Sequence, residues 1–331
     1  MLRIAIITDS LTNDSLFIEE DILVKQITSL NYLFVFKFFQ PDFLLVESAW
    51  QGHKNRWKYK ISSYPGYPKR NNKQLQKIVE YAKKLAIPTV FWNKEDSVHF
   101  ERFIDSAKLF DHIFTVDANA IERYRSIVPS TTTVNTLMFA VQPKFHYFNG
   151  FDFKYNHANF MGSYSHHIHD RRRLWQNMMF ESANEVKMQI DVYDRNSDRK
   201  SSNYRYPKMD SLKIYPAVTY EQTSQIYKDY AISLNVNTIE DSPTMFSRRL
   251  IEILACGGIA VSNPSLSIDN YFKEYVHVVQ TKEEMKELFY RIHKYGPTQY
   301  DLEMARAGAE YVAKYHTWKH RLNEIVKVIG M

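Results

Sequence analysis

The stretch Ser247–Ser262, SRRLIEILACGGIAVS, reads as a helix that ends on two glycines and restarts as a strand. Leu250, Ile251, Ile253 and Leu254 make one apolar face at helical spacing. Gly257 and Gly258 permit a tight exit from the helix with positive φ. The short apolar run that follows suits a strand buried on both faces. Helix, turn and buried strand make half of a parallel α/β unit. Two arginines and one glutamate sit inside this apolar helix. Either they face solvent, or they hold something charged.

The same alternation extends in both directions. Upstream, LRIAIIT, FLLVES, PTVFWN, HIFTVD and STTTVNTLM read as strands, separated by helical stretches such as NKQLQKIVEYAKKLA and HFERFIDSAKLF. Asp117 is a candidate N-cap for DANAIERYRSI. The aromatic segment FAVQPKFHYFNGFDFKYNH follows neither period and marks a domain boundary. Beyond it, strands ANFMGS, QIDVYD, KIYPAV, AISLNVN, GIAVSN and VHVVQ alternate with helices. The long terminal helix carries a break near Thr317-Trp318. Two open parallel sheets are expected, with ligands beyond the carboxyl ends of the strands.

Composition bounds the function. The chain has 331 residues, 44% hydrophobic and 15% aromatic, enough for two cores. A formal net charge of +6 favours anionic partners: nucleotides, phosphorylated sugars or an anionic membrane face. A single cysteine excludes an internal disulfide and fits a reducing compartment. No signal-peptide pattern and no run of about 20 apolar residues is present, so a cytoplasmic protein is expected, with peripheral contact at the inner membrane face left open. Basic residues are scattered among 37 acidic ones and no compact nucleic-acid motif is found, so no nucleic-acid partner is expected.

Several places carry candidate chemistry. The loop NVNTIEDSPTM offers Asn237 and Thr244 between a strand end and a helix start, a phosphate-binding setting. Arg249 and Glu252 lie three apart on the following helix, open to an ion pair with each other or to a ligand's phosphate and hydroxyls. FMGSYSHHIHDRRR ends a strand on Gly162-Ser163, where glycine permits close backbone approach, and Arg171 opens the next helix. Tyr193, at another strand end, is available to stack on a base. In VFWNKEDSVHF, Glu95 and Asp96 stand as bases toward an acceptor hydroxyl, with an N-cap as the other role for Asp96. Trp50 and Trp92 are candidate platforms for an acceptor sugar, the core being the other role for such rings. His166, His167 and His169 have no carboxylate at ligand spacing, so no metal and no cofactor are expected.

These segments resemble group 1 glycosyltransferases of the CgeB-like (spore-maturation) branch. SRRLIEILACGG resembles the family's Arg-x-x-Glu-x-x-x-Cys-Gly segment, NFMGSY…DRRRLW its Gly-Ser loop and arginine helix, and YHTWKHR its C-terminal segment. VFWNKEDSVHF, FDHIFTVD and FAVQPKFH resemble motifs of its first half. The resemblance implies a GT-B fold: two Rossmann-like parallel-sheet domains facing an interdomain cleft. The acceptor domain spans residues 1–145, the nucleotide-sugar donor domain 146–313, and a helix over 314–331 crosses back to the first domain. It implies a metal-independent glycosyltransferase. The enzyme would move a sugar from a nucleotide-sugar donor to a hydroxyl of a glycan or lipid-linked glycan, in polysaccharide biosynthesis. Glu252 matches the second glutamate of the wider superfamily's Glu-x7-Glu pair, and Thr244 stands where the first falls. A non-catalytic sugar-nucleotide binder, or a transferase of a phosphoalkyl group, is therefore the alternative.

Overall fold

The computed structural model describes residues 1–331. The chain forms two compact units. The first comprises Met1–Gln142, Pro243–Met245 and Trp318–Met331, and the second Pro143–Ser242 and Phe246–Thr317.

In the first unit six parallel strands run in the order β2-β1-β3-β4-β5-β6. They are β1 Leu2–Ile7, β2 Ile22–Gln26, β3 Phe43–Glu47, β4 Thr89–Asn93, β5 His112–Thr115 and β6 Thr133–Thr136. β3 and β4 are buried at every position, as strands covered on both faces must be. β2 is the edge strand absent from the sequence reading. It alternates exposed and half-buried residues, with Leu23 and Lys25 outward, so it lacks the continuous apolar run of its neighbours. The order reverses between β1 and β3, the switch point at which such sheets bind ligands.

The helix Trp318–Ile329 belongs to this unit and is fixed by buried chemistry. Its backbone joins Val141 through Trp318 N–H (3.1 Å), and the Trp318 ring meets Trp92 edge to face at 5.5 Å. Arg321 is 2% exposed and donates to the Met138 carbonyl at 2.9 Å.

The second unit repeats the architecture in the order β12-β11-β10-β7-β8-β9. Its strands are β7 Tyr155–Gly162, β8 Ile190–Asp194, β9 Leu212–Pro216, β10 Tyr230–Asn235, β11 Ala260–Ser262 and β12 His277–Val278. The reversal here lies between β7 and β10. The stretch Ser247–Ser262 forms the helix Arg248–Ala255 and β11, with Leu250, Ile251, Ile253 and Leu254 fully buried. Gly257 has φ +73° and a Cβ there would strike the Phe148 ring, so both the turn and the packing require glycine. No helix of the protein is long and apolar enough to cross a membrane.

A candidate anion site in the second unit

The β10–helix loop is locked before it reaches any ligand. Asn237 is 1% exposed, and its side-chain oxygen accepts from Ser247 N–H, the N-cap of the helix Arg248–Ala255, at 2.8 Å. Its amide nitrogen reaches Ser265 Oγ at 3.2 Å, and its backbone N–H donates to Asn263 Oδ1 at 2.7 Å. Asn237, expected to touch the donor, is thus a buried strut of the loop. Thr244, expected beside it, belongs to the first unit instead. Its hydroxyl donates to Val116 O and accepts from Ala118 N–H, both at 2.9 Å.

The helix held by Asn237 places its two arginines differently. Arg248 turns to Glu252, one helical turn on, with Nε–Oε1 3.0 Å. The ion pair is therefore i,i+4 and leaves Arg249 out of it. Glu252 is 5% exposed, within the unit rather than on its surface. Arg249 crosses to β7, where Nε donates to the Met161 carbonyl and the guanidinium lies 4.7 Å from the centre of the Phe160 ring. Gly162 makes room for it. A Cβ on Gly162 would sit 2.9 Å from Arg249 Nη2 and 2.8 Å from the Phe160 ring. Sequence reading gave Gly162 a part in backbone approach to a phosphate; here it also lets an arginine lie across the strand end.

Two further arginines converge. The backbone N–H of Arg195, just past β8, donates to Gly162 O at 2.8 Å, and its guanidinium reaches Ser163 Oγ at 3.4 Å. Arg172, on the helix Asp170–Glu185, is held down to a pKa of about 10 by burial first and then by the charges of Arg249 and Arg195. Burial likewise lowers Arg249. Neither Arg172 nor Arg249 forms an ion pair, and Arg172 Nε and Arg249 Nη1 are buried with no hydrogen-bond partner. Tyr206, 9% exposed, lies in the field of all three arginines, and its hydroxyl too has no partner. Buried guanidinium groups with open donors cost free energy unless an anion completes them. The arrangement is built for a phosphate or diphosphate at the β7 switch point.

Arg171, the arginine expected at the ligand, is exposed and pairs with Glu240 through Nε (3.0 Å) and Nη2 (3.1 Å). Its neighbour Arg172 turns inward, because residues one apart on a helix diverge by about 100°. Tyr193 is also displaced from the expectation. Its ring stacks on Tyr215 at 5.2 Å and its hydroxyl meets that of Tyr230 at 3.0 Å. Strand alternation puts it on the sheet face opposite Asp194.

In the first unit the switch point is electrostatically closed. Lys94 Nζ lies 2.9 Å from Glu47 Oε1 and 3.0 Å from Asp9 Oδ2. Thr12 Oγ1 and Asp9 N–H also donate to Glu47. Burial, the largest influence, still pushes Glu47 upward, whereas Lys94 and the N–H groups of Gly52 and Gln51 overcome burial at Asp9 and lower it. Asp9 lines a hollow of about 480 Å³ with Trp50, Gln51, Gly52 and Asn55. Trp50 packs edge-on to His99 (5.1 Å) and Phe103 (5.0 Å) with part of its surface free. Trp92 is core, 2% exposed, its Nε1 donating to Leu137 O at 3.0 Å. Asp96 is fully buried and accepts from Asn93 (2.7 Å), Thr115 (2.7 Å) and Tyr124 (2.9 Å). Burial raises its pKa to about 7, and its carboxyl has no exposure to solvent. Glu95 is half-buried and remains open to solvent. Asp9, Glu47 and Lys94 escaped sequence reading because each looked like an ordinary strand-end polar residue.

Residues 171–327 match a family model described as glycosyl transferase-like. No curated protein matches the sequence. Among solved structures, the chain is similar to an alpha-glucosyltransferase in complex with UDP and a 13-mer DNA containing a central A:G mismatch (13% identity, TM-score 0.67, 100% of both chains). It is also similar to Anabaena HepE in complex with UDP and glucose (9%, TM-score 0.59, 100% of this chain and 99% of that one). Sucrose-phosphate synthase from Thermosynechococcus elongatus matches at 11% identity and a TM-score of 0.54, over 91% of this chain and 76% of that one. These likenesses establish the fold: two parallel six-stranded sheets with helices, the GT-B arrangement. The glycosyl transferase-like match thus falls on the later part of the chain, and the solved structures share its fold.

Proposed function

We propose that the protein transfers a glycosyl group from a nucleoside-diphosphate sugar to a hydroxyl of a glycan or lipid-linked glycan, within the CgeB-like branch. The observation that carries this reading is the arginine group of the second unit, in which the partly buried Arg172 and Arg249 form no ion pair and Arg172 Nε and Arg249 Nη1 are buried with no hydrogen-bond partner. The leaving nucleoside diphosphate gains negative charge as the glycosidic bond breaks. Preorganised guanidinium groups in a partly desolvated site stabilise that charge without metal. Arg172, Arg195 and Arg249 take the diphosphate, with Gly162-Ser163 as the backbone floor. Glu252, oriented by Arg248, is assigned to hydroxyls of the donor. The likeness to proteins solved with UDP supports a uridine donor as the first to try.

On the first unit, the hollow beside Trp50 and Asp9 receives the acceptor sugar. Asp9, kept ionised by Lys94, is a hydrogen-bond acceptor for sugar hydroxyls rather than a base. Glu95 is the carboxylate we assign as base, Asp96 being sealed. Incubation with a panel of nucleotide sugars and polyprenyl-linked or free glycan acceptors tests the reading by release of nucleoside diphosphate. Acceptor-dependent release supports it. A second reading, a non-catalytic sugar-nucleotide binder, is favoured by Thr244, whose hydroxyl is bound within the first unit where the superfamily's first glutamate would stand. Tight donor binding with no release toward any acceptor selects that reading.

A further inference from the structure

We infer that the first unit binds an anionic glycan, one carrying phosphodiester or carboxylate groups along its chain, and that the loop over residues 48–72 holds those groups. The inference rests on the proposed reading of the hollow beside Trp50 and Asp9 as the acceptor site, and it names the class of acceptor.

The loop runs from the carboxyl end of β3 to the helix Lys73–Lys84. It far exceeds the roughly 2–6 residues usual between a strand and the next helix, and connections that long, where ordered, are mostly functional. This one is ordered by its own packing. Trp57 and Ile61 are each 1% exposed in the first unit's core. Trp57 Nε1 donates to Ile27 O at 2.9 Å, and His53 N–H donates to Thr8 O at 2.7 Å. The side chains around those anchors are cationic. Residues 48–79 contain eight lysines and arginines and no carboxylate, in a chain that otherwise nearly balances 43 basic residues with 37 acidic ones. No lysine or arginine of the stretch pairs with a carboxylate, whereas Lys83, Lys94 and Arg125 of the same unit each do.

The hollow and the cations are continuous. Lys54 lines the hollow with Asp9, Trp50 and Asn55, and the exposed Arg56 and Lys58 follow it along the chain. Arg70, late in the loop, folds back to the same place. Its guanidinium lies 4.1 Å from the centre of the Tyr59 ring and 4.2 Å from that of Tyr67, and Lys58 Nζ lies 5.1 Å from the same Tyr59 ring. A guanidinium held by rings rather than by a carboxylate keeps its N–H fork for a phosphate or carboxylate of the ligand. Asp9 repels an anion, so a sugar ring that offers hydroxyls suits the hollow, and the charged groups of its neighbours in the glycan meet the cations beside it. The same packing argues against nucleic acid. Proteins hold single strands by stacking bases on open ring faces. Here Tyr59 and Tyr67 each give a face to Arg70, and Trp57 is core.

Fluorescence anisotropy on the full chain tests the inference with four labelled probes: an oligogalacturonate, a phosphodiester-linked oligosaccharide, neutral dextran of equal length, and DNA. The parent is expected to bind at least one anionic glycan about tenfold more tightly than dextran, with the gap closing in high salt. The tighter of the two anionic probes names the source of the charge. The triple variant R56S/K58S/R70Q is expected to lose about tenfold of that binding, while keeping the parent's melting shift with UDP. R56S/K58S, which changes exposed residues only, is expected to lose a smaller part of it. Equal binding of dextran and both anionic glycans, or unchanged binding by both variants, overturns the inference. So does tighter binding of DNA than of either glycan, which would assign the loop to nucleic acid. Diphosphate release toward neutral acceptors alone overturns the inference and leaves the proposed function standing. Anionic-glycan binding lost in the triple variant, with no release toward any acceptor, strikes the proposed function and leaves the anionic-glycan site standing.

Discussion

The two sheets end in opposite electrostatics at the same topological place. At the switch point of the first unit, Lys94 is paired with both Asp9 and Glu47, and Asp96 is sealed behind three donors. At the switch point of the second, Arg172 and Arg249 are brought together with no ion pair and with buried N–H groups left open. The first arrangement is complete without a ligand. The second leaves donors open, which an anion would complete. A parallel sheet thus fixes where a ligand binds, and the charge balance of a few strand-end residues fixes what binds there.

The largest effect expected from this contrast is on stability. Lys94→Ala strands two carboxylates, one of them fully buried, and is expected to cost about 3–5 kcal/mol in denaturant unfolding, with UDP affinity unchanged if the variant remains folded. A cost near zero would mean that the first cluster is not self-completing. Asp96 gives a second measure of the same unit. Folding raises its pKa from the ordinary 3.8 to about 7. The folded state therefore holds a proton that the unfolded state has released between those values. Stability should fall by about 2–4 kcal/mol as pH rises from about 4 to about 7, and level off above. Asp96→Asn should flatten that slope in urea melts across the range.

In the second unit the expected effects fall on binding. Arg249→Ala should weaken nucleoside-diphosphate binding about 100-fold, read by calorimetry. Arg172→Met should lower affinity about tenfold and yet leave the unliganded protein as stable or more so, because it removes a partly buried cation that has no ion pair. Gly162→Ala should cost a similar or smaller factor by pushing Arg249 off the strand end; unchanged affinity would show that the close approach at Gly162 is not used. The smallest effect expected is at the acceptor hollow. Trp50→Ala should raise the acceptor KM several-fold with little change in kcat.

Much of the fold was legible because buried parallel strands announce themselves as apolar runs: FLLVE and TVFWN each became a strand buried throughout. β2 was not, since an edge strand needs only one buried face and its Leu23 and Lys25 point outward. The site was legible to the level of segments rather than side chains. Arg249 lies against Gly162 at the end of β7, while Glu252 pairs with Arg248 on the same helix. Arg171 and Arg172 are indistinguishable in DRRR; only the phase of the helix against the sheet selects the inner one. Asn237 was read as a donor contact, and Trp92 was left between an acceptor platform and the core, because a polar loop and a strand-end aromatic look alike whether exposed or buried. Thr244 depended on which unit its three-residue segment joins, a tertiary fact with no local signature. The ion pair of Glu252 fell to Arg248 rather than Arg249 because the strand end offered Arg249 a carbonyl and an aromatic face.

Titration of UDP into the parent and into the double variant R172M/R249A tests the central claim most directly. An incomplete anion site predicts saturable binding by the parent that raises its melting temperature, and loss of both the heat and the shift in the double variant while the fold persists. Equal binding by the two proteins, or no diphosphate binding by the parent, would contradict it.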